Sequence, residues 1–224
     1  AAGAGACRYK PILCAEKRDG FLTGAPCFGP VPQSGKKKRR SVRRLGGSNM
    51  NEVIRAMEER RSIRSFKPDM PVKEDLEQII RAGLYAANGM GQQAPITVAV
   101  TNRALRNRLS AENCRIGGWP EGFDPFYGAP AILIVLAPSD WPNRVYDGSL
   151  VMGNMMLAAH ALGLGSIWIH RAKQEFELPE YRQLLRDLGI AGEWEGIGHC
   201  AVGYLDGEAP AAAPRKAGRV FWAE

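Results

Sequence analysis

One segment near the middle of the chain is apolar on nearly every side of a helix, and it restricts the fold more than any other feature. A helix that is hydrophobic all round is normally buried on all sides. We therefore predict a central, fully buried helix over residues 152–162, with the other elements packed around it. Its apolar residues are Met152, Met155, Met156, Leu157, Ala158, Ala159, Ala161 and Leu162.

The elements around this helix do not follow a strict strand-helix alternation. Gly163 and Gly165 end the central helix, and short apolar runs elsewhere indicate strands. Helices outnumber strands, and their order favours the α+β class. The predicted strands are residues 97–101, 131–136, 166–169 and 198–205. The other predicted helices begin at Asn51, after Pro71 and at residues 104–112 and 177–188, with the second ending at residues 88–89.

The first 49 residues differ sharply in charge from the rest. Residues 1–49 hold eleven lysines or arginines against two acidic residues, a net charge of +9, whereas residues 50–224 carry −2. The basic block at residues 36–44 repels itself and lacks apolar surface to bury, which favours disorder. We therefore predict a basic, disordered leader over residues 1–49 and a folded domain over residues 50–224.

Two interpretations of the leader stay open. A basic segment that is poor in acidic residues is typical of an anion-binding, nucleic-acid-binding or targeting segment. Alternatively, the leader is not native and translation starts at Met50, because a helix pattern begins directly after it. In either case the slightly acidic remainder makes nucleic acid an unlikely main partner of the folded domain.

Composition and motifs exclude several classes of protein for residues 50–224. The segment has only Cys114 and Cys200, without a C-x-x-C pair, which favours a reducing cytoplasm. The sequence has no apolar run of the roughly 18 residues that cross a membrane. The three histidines are isolated, and no motif of a hydrolase, P-loop or Rossmann protein is present. We expect neither a metal site nor a nucleophile.

A cluster of cations remains as the strongest candidate site. Arg60, Arg61 and Arg64 surround Ser62 where the first helix ends. Guanidinium groups donate paired hydrogen bonds to a phosphate and keep their charge. Basic side chains also suit the negative end of a helix dipole in open solvent. From these residues alone, an anion site and a solvated helix end are equally good interpretations.

Four segments in order resemble the FMN-dependent nitroreductase family. They are residues 60–66 (RRSIRSF), the turn at residues 86–95, residues 154–169 (NMMLAAHALGLGSIWI) and residues 214–216 (PRK). The resemblance spans nearly all of residues 50–224. It implies a mixed, mainly antiparallel sheet flanked by helices, with FMN as cofactor and NADH or NADPH as electron donor.

The resemblance also implies which residues hold the cofactor. The first segment would bind the FMN phosphate and ribityl chain, and the C-terminal segment would close on the same phosphate. The turn would lie along the flavin, and the backbone at residues 168–170 would face its redox edge. The implied cofactor-binding residues are Arg60, Arg61, Ser62, Arg64, Asn88, Met90, Gln93, Trp168, Ile169, His170, Arg215 and Lys216.

In this reading the cofactor supplies the chemistry, and no side chain is assigned as catalytic. NAD(P)H would reduce the flavin and depart, and a nitroaromatic, quinone or similar small acceptor would then take the two electrons in a ping-pong order. The family is homodimeric, and the helix at residues 152–162 would supply buried contact. Residues 220–222 would reach the partner or fold back on their own chain, and the aromatic loop at residues 117–130 is either a lid over the flavin or a plain surface loop. A flavin-binding storage or sensing protein without turnover is the alternative.

Overall fold

The computed structural model describes residues 51–224. The predicted leader and the proposed start at Met50 lie outside these residues. Within them, no helix is both long enough and apolar enough to cross a membrane.

A four-stranded antiparallel sheet forms the centre of the fold. Its strands are β1 (Ile96–Val100), β2 (Ala131–Pro138), β3 (Gly165–Ile169) and β4 (Trp194–Gly203), in the spatial order β1-β2-β4-β3. All three pairings between these strands are antiparallel. A single parallel bridge joins Ser62 to Ser166 on the outer edge of β3. The α+β class and the mainly antiparallel sheet are therefore confirmed. β3 is an edge strand that pairs with β4 on its inner side and is bridged to Ser62 on its outer side.

Among residues 51–224, six α-helices surround the sheet. They are α1 (Glu52–Glu59), α2 (Lys73–Leu84), α3 (Arg103–Gly117), α4 (Arg144–Ala161), α5 (Ala172–Phe176) and α6 (Pro179–Asp187). Asn51 caps α1 as predicted, since its Oδ1 accepts a hydrogen bond from Val53 N at 2.9 Å. Gly118 ends α3 with a φ of 67°, which glycine adopts without steric cost.

The sheet divides the apolar residues into two cores. Successive side chains of a strand point to opposite faces. Ile132 and Ile134 of β2 therefore pack into the core formed with α3, α5 and α6. Leu133 and Val135 pack into the core formed with α2 and α4. Because both faces are covered, β2 can be apolar along its whole length.

Several predicted boundaries and one burial prediction differ from the structure. α3 runs five residues past the predicted end, α2 stops at Leu84, and the helix predicted over residues 177–188 is α6, which begins at Pro179. The short helix α5 was not predicted. α4 starts at Arg144, and it buries only the side that carries Val151, Met152, Met155 and Ala159. The prediction of complete burial therefore holds for one face of α4, and its other apolar face is partly exposed in the single chain.

Candidate functional site

The arginine-rich segment lies beside the free edge of β3. After α1 ends, the backbone N–H of Ile63 donates to Ser166 O at 3.1 Å, next to the bridge between Ser62 and Ser166. The Ile63 side chain is buried in the core with α3, α5 and α6. These contacts fix the segment along the strand, so that Arg60 and Arg61 stand at the Ser166 end of β3.

Two guanidinium nitrogens in this segment are buried without a partner. Within residues 51–224, Arg60 Nη1 and Arg61 Nε make no hydrogen bond. Arg61 also uses Nη1 to donate to the backbone oxygens of Glu58 at 2.6 Å and Arg60 at 2.9 Å, which is the helix-end arrangement. Buried donors without acceptors cost free energy. An anion at this point would supply the missing acceptors, so the residues fit a phosphate group.

A cavity of about 220 Å³ opens beside Arg61. Arg61, His160 and Ser166 contribute to its lining, together with the backbone around Gly163. Ser62 is half-buried next to the β3 edge, whereas Arg64 is exposed. The structure therefore brings Arg60, Arg61 and Ser62 together and leaves Arg64 in solvent.

The nearby thiol of Cys200 is not a candidate nucleophile. Its side chain is fully buried in β4, and burial raises the pKa of this thiol to about 12 despite the opposing charge of Arg60. The reactive form of cysteine is the thiolate, so this residue stays protonated and unreactive near neutral pH.

The C-terminal cations are far less constrained. Arg215 and Lys216 are exposed, and the described hydrogen bond of Arg215 runs from Nη2 to Ala213 O at 2.7 Å. No hydrogen bond or ion pair within residues 51–224 joins them to the segment at residues 60–64. Their predicted role at the phosphate stays a prediction.

The opposite end of β3 is formed by residues 168–170. Ile169 is buried, Trp168 is half-buried, and His170 is exposed, with the Trp168 and His170 rings 5.8 Å apart. Trp168 Nε1 is buried and has no partner among the described residues. Arg171 follows with a φ of +81°, a left-handed conformation that is strained for a side chain other than glycine. We name the turn at residues 169–172 the β3–α5 turn.

Arg171 was missed by the sequence analysis, since nothing in the sequence indicates its conformation. Its guanidinium lies 4.2 Å from the ring centre of Trp119, a cation–π contact. Gly117 makes room for this pair, because a Cβ there would collide with the Trp119 ring. The aromatic loop is therefore attached directly to the β3–α5 turn.

The turn at residues 86–95 is held by its own side chains. Asn88 Oδ1 accepts from Gln93 N at 2.8 Å, and Asn88 Nδ2 donates to Ala86 O at 3.2 Å. Met90 and Gln93 have φ values of 53° and 50°. Strain of this kind costs about 1–3 kcal/mol per residue and clusters at functional sites. Met90 is also 79% exposed, so its side chain is free to contact another molecule.

Asp147 of α4 holds this turn to the body of the protein. This carboxylate is 3% exposed and accepts from Gly89 N at 2.9 Å and from Trp141 Nε1 at 2.7 Å. The sequence analysis missed this residue. Its position in the first turn of a helix longer than predicted left no apolar pattern around it as a signal.

The aromatic loop is anchored by a second, half-buried carboxylate. Asp124 accepts hydrogen bonds from Arg106 and Ser110 of α3 and from the backbone of Phe126 and Gly128. Burial alone would raise the pKa of Asp124, but the bonds from Arg106, Ser110 and Gly128 outweigh it and lower the pKa. A cavity of about 480 Å³ lies between α3 and this loop. Trp119 and Phe123 stand at its wall as a tilted ring pair 5.1 Å apart.

Comparison with known proteins decides the family. A model of the nitroreductase family matches residues 57–114 and 119–204, which is more than half of the chain. The chain belongs to the nitroreductase family. The matched residues include the segment at residues 60–64, the turn at residues 86–95 and the β3–α5 turn, whereas Arg215 and Lys216 lie beyond them.

Solved nitroreductases have the same fold. A nitroreductase from Bacteroides fragilis, solved with bound FMN, is 29% identical and has a TM-score of 0.72, over 78% of this chain and 100% of the other. A second, from Desulfitobacterium hafniense and also with bound FMN, is 26% identical with a TM-score of 0.70 over the same shares. The FMN reductase [NAD(P)H] of Bacillus subtilis is 26% identical over 59% of this chain and 62% of its own length.

Proposed function

We propose that this protein is an FMN-dependent oxidoreductase that passes two electrons from NAD(P)H to a small acceptor. Membership of the nitroreductase family, FMN in related structures and an NAD(P)H-dependent relative support a flavin enzyme. The observation that carries the proposal for this chain is the pair of buried, unpartnered donors on Arg60 and Arg61 beside β3.

The proposed phosphate site lies at the start of β3. Arg60, Arg61 and Ser62 would donate to the phosphate and the ribityl chain, with Arg64 at its solvent side. A phosphate leaves water only when several donors converge on it. The buried, unpartnered nitrogens of Arg60 and Arg61 meet this need. Arg215 and Lys216 would join them after a movement of the exposed tail, which we retain as part of the proposal.

The proposed redox site lies at the other end of β3. Bound FMN would accept two electrons from NAD(P)H and deliver them to a nitroaromatic, a quinone or a similar acceptor in a ping-pong order. The backbone at Trp168, Ile169 and His170 would face the edge of the ring, and the buried Trp168 Nε1 is a free donor on the same strand. We assign no side chain in this region as a general acid, and the roles proposed for the protein are orientation and hydrogen bonding.

The turn at residues 86–95 would cover the flavin. Asn88 keeps the turn closed, and the left-handed Met90 and Gln93 present their side chains outward. Asp147 fixes the turn to α4 through Gly89 N. The strained backbone is held in one shape before any ligand binds, which lowers the entropy cost of binding.

We further propose a homodimer. Val53, Ile54 and Met57 form an apolar face on α1 and are each at least 50% exposed. A groove of about 560 Å³ separates α1 from α2 and α4, and it is lined by this face together with Leu157 and Ala158. Contiguous exposed apolar surface is a common feature of interaction sites. The partly exposed face of α4 is part of the same surface, so a second copy would bury what the single chain leaves open.

The domain division and the location of the protein remain predictions. We assign the enzyme to residues 50–224 and treat residues 1–49 as a separate basic leader. A cytoplasmic location is the expectation from cysteine usage.

Spectroscopy and steady-state kinetics of the full chain test the proposal. We expect purified or reconstituted protein to be yellow with flavin absorbance maxima. We also expect NADH or NADPH oxidation that depends on a nitroaromatic or quinone acceptor, with parallel double-reciprocal plots. A colourless protein after incubation with FMN would refute the proposal. Bound FMN with turnover no faster than free FMN would instead favour a storage or sensing protein.

A further inference from the structure

Three polar side chains from distant parts of the chain meet behind the β3–α5 turn. Asn113 of α3, Glu175 of α5 and His199 of β4 are each 0% exposed. Buried polar and charged groups cost free energy unless their hydrogen bonds are met. Neither the proposed phosphate site nor the proposed ring contacts use these residues. We name them the buried polar triad.

Asn113 connects the triad to the turn. Its Nδ2 donates to Glu175 Oε1 at 2.8 Å and to His170 O at 2.9 Å, so both hydrogens of the amide are used. Glu175 Oε2 in turn lies 2.7 Å from His199 Nε2. The carboxylate therefore fixes the amide of Asn113, and the imidazole lies against the carboxylate.

The triad is not explained by its contribution to stability. Among residues 51–224, Asn113 Oδ1 and His199 Nδ1 have no hydrogen-bond partner, and the contact between Glu175 and His199 is short but poorly aligned. A buried polar network that is only partly satisfied is less stable than an apolar core of the same shape. A role in positioning accounts for polar groups at this place.

The backbone that Asn113 holds is strained. The peptide between His170 and Arg171 is planar and trans, because the structure has no cis peptide bond among residues 51–224. Its N–H therefore points opposite to its C=O. With His170 O turned toward Asn113, the N–H of Arg171 faces away from α3. The φ of +81° at Arg171 persists only where surrounding contacts enforce it.

We propose that Asn113, oriented by Glu175 and His199, is a positioning residue that fixes the His170–Arg171 peptide and aims the Arg171 N–H at the bound flavin. The inference rests on the proposed function, because it requires the redox edge of FMN at this end of β3. A fixed backbone donor at that edge stabilises the reduced form, in which negative charge has increased, more than the oxidised form. The buried polar triad thus raises the reduction potential without touching the cofactor.

The test uses two substitutions and a control on the same helix. Asn113→Ala removes the donor, and Asn113→Leu removes it while keeping the volume close to that of the original side chain. Ser110→Ala is the matched control, because Ser110 is also buried on α3 but bonds Asp124 of the aromatic loop at 2.6 Å and not the turn. All three variants lose a buried polar group. Only the two Asn113 variants lose the hydrogen bond to His170 O that holds the β3–α5 turn.

We expect the two Asn113 variants to bind reduced FMN more weakly relative to oxidised FMN. A loss of about tenfold in that ratio corresponds to a potential about 30 mV more negative for a two-electron couple. Ser110→Ala should leave the potential unchanged. Without FMN, amide hydrogen exchange at residues 169–172 should be faster in the Asn113 variants than in the wild type or the control.

Glu175→Gln separates orientation from general destabilisation. The glutamine keeps an oxygen that accepts from Asn113, so it should retain a ratio of affinities within about twofold of the wild type. Glu175→Ala removes that acceptor and should shift the potential in the same direction as Asn113→Ala. Equal shifts in both Glu175 variants would contradict positioning through Asn113.

Other outcomes also decide the matter. Asn113 variants that bind FMN with the wild-type potential and exchange amides at the wild-type rate would overturn the proposal, as would an equal shift in Ser110→Ala. Failure of both Asn113 variants to fold would assign the residue to structure instead. If the wild-type protein binds no FMN, the proposed function fails. The exchange measurement then still shows whether Asn113 holds the turn.

Discussion

The two ends of the β3 edge hold different kinds of groups. At the Ser166 end, Arg60 and Arg61 present charged side chains with buried nitrogens that lack acceptors. At the Ile169 end, the turn presents backbone groups whose direction is set by Asn113 and by the contact between Arg171 and Trp119. The first end is suited to binding an anion, and the second is suited to orienting a ring.

This difference implies that affinity and reactivity are assigned to separate residues. Charged donors contribute to binding of the oxidised and reduced cofactor alike, because the phosphate does not change during the reaction. Only groups near the ring distinguish the two redox forms. Substitutions at the two ends should therefore change different measured quantities.

The largest effect is expected from removing the guanidinium groups of both Arg60 and Arg61. In the double variant Arg60→Ala and Arg61→Ala, two charge-assisted hydrogen bonds of about 1.5–3 kcal/mol each would be lost. We expect FMN affinity to fall by roughly a thousandfold, measured by fluorescence titration. Arg55→Ala removes one positive charge from the exposed surface of α1 and should change affinity little. Retention of FMN by the double variant would exclude this end as the phosphate site.

A smaller effect is expected from a charge on the exposed face of α1. The groups at the two ends of β3 all come from one chain. The turn at residues 86–95 and α1, by contrast, present surface that a second copy could contact. Val53→Glu combined with Met57→Glu should weaken dimerisation by about a hundredfold, because unpaired charges at an interface are costly to desolvate. Sedimentation velocity measures the change.

The matched control for this surface lies across the sheet. Leu188→Glu introduces one negative charge at an exposed apolar position that follows α6. It should leave the oligomeric state as it is in the wild type. A wild-type protein that sediments as a monomer at all concentrations would contradict the dimer.

A smaller effect again is expected from weakening the anchor of the aromatic loop, which should change the stability of the fold rather than the redox properties of the turn end. Asp124→Asn weakens the bonds to Arg106 and Ser110, and we expect a loss of about 1–3 kcal/mol in the free energy of unfolding at neutral pH. Because the pKa of Asp124 is lowered in the folded state, its stabilisation is complete above the ordinary aspartate pKa of about 3.9 and is lost as pH falls through the lowered value.

Urea unfolding of wild type and variant across this pH range checks the sign. The difference between the two should be constant near neutral pH and should shrink only in acid. Asp69→Asn, at an exposed position, should show no comparable difference. A difference that grows as pH falls would mean that the carboxylate is not held by its hydrogen bonds.

The smallest effect is expected at Arg171 itself. Glycine tolerates a φ of +81°, whereas alanine does not, so Arg171→Gly should be more stable than Arg171→Ala by about 1–2 kcal/mol. Both variants lose the contact with Trp119, so the comparison isolates the backbone. Chemical denaturation of the two variants measures the difference, and equal stabilities would show that the turn is not strained.

Much of the fold was predictable because it depends on local pattern. The apolar runs of β2 and β3 and the stripe of α2 were each visible in the sequence, with ends displaced by a few residues. The helix predicted over residues 177–188 begins instead at Pro179, because Leu178 is extended, a boundary that helical periodicity conceals. The incomplete burial of α4 could not be predicted from the sequence of one chain. A helix face that packs in the core of its own chain and one that packs against a partner are both apolar, so the sequence pattern does not distinguish them.

The site was predictable in a different way. The anion-binding role of the segment at residues 60–64 was one of two equal interpretations until the resemblance favoured it. The buried polar triad joins Asn113, Glu175 and His199 across 86 positions of the sequence. The only signal was His199 within an apolar strand. Left-handed Arg171 had none, because conformation at a single position is set by tertiary contacts.

The account is tested most directly by comparing FMN with riboflavin, which has the same ring but no phosphate. If Arg60 and Arg61 hold the phosphate at one end of β3 while the other end orients the ring, the full-length wild-type protein should bind FMN at least about a hundredfold more tightly than riboflavin. The advantage should disappear in the double arginine variant. Equal affinity of the wild type for the two flavins would contradict the division of the β3 edge into an anion-binding end and a ring-orienting end.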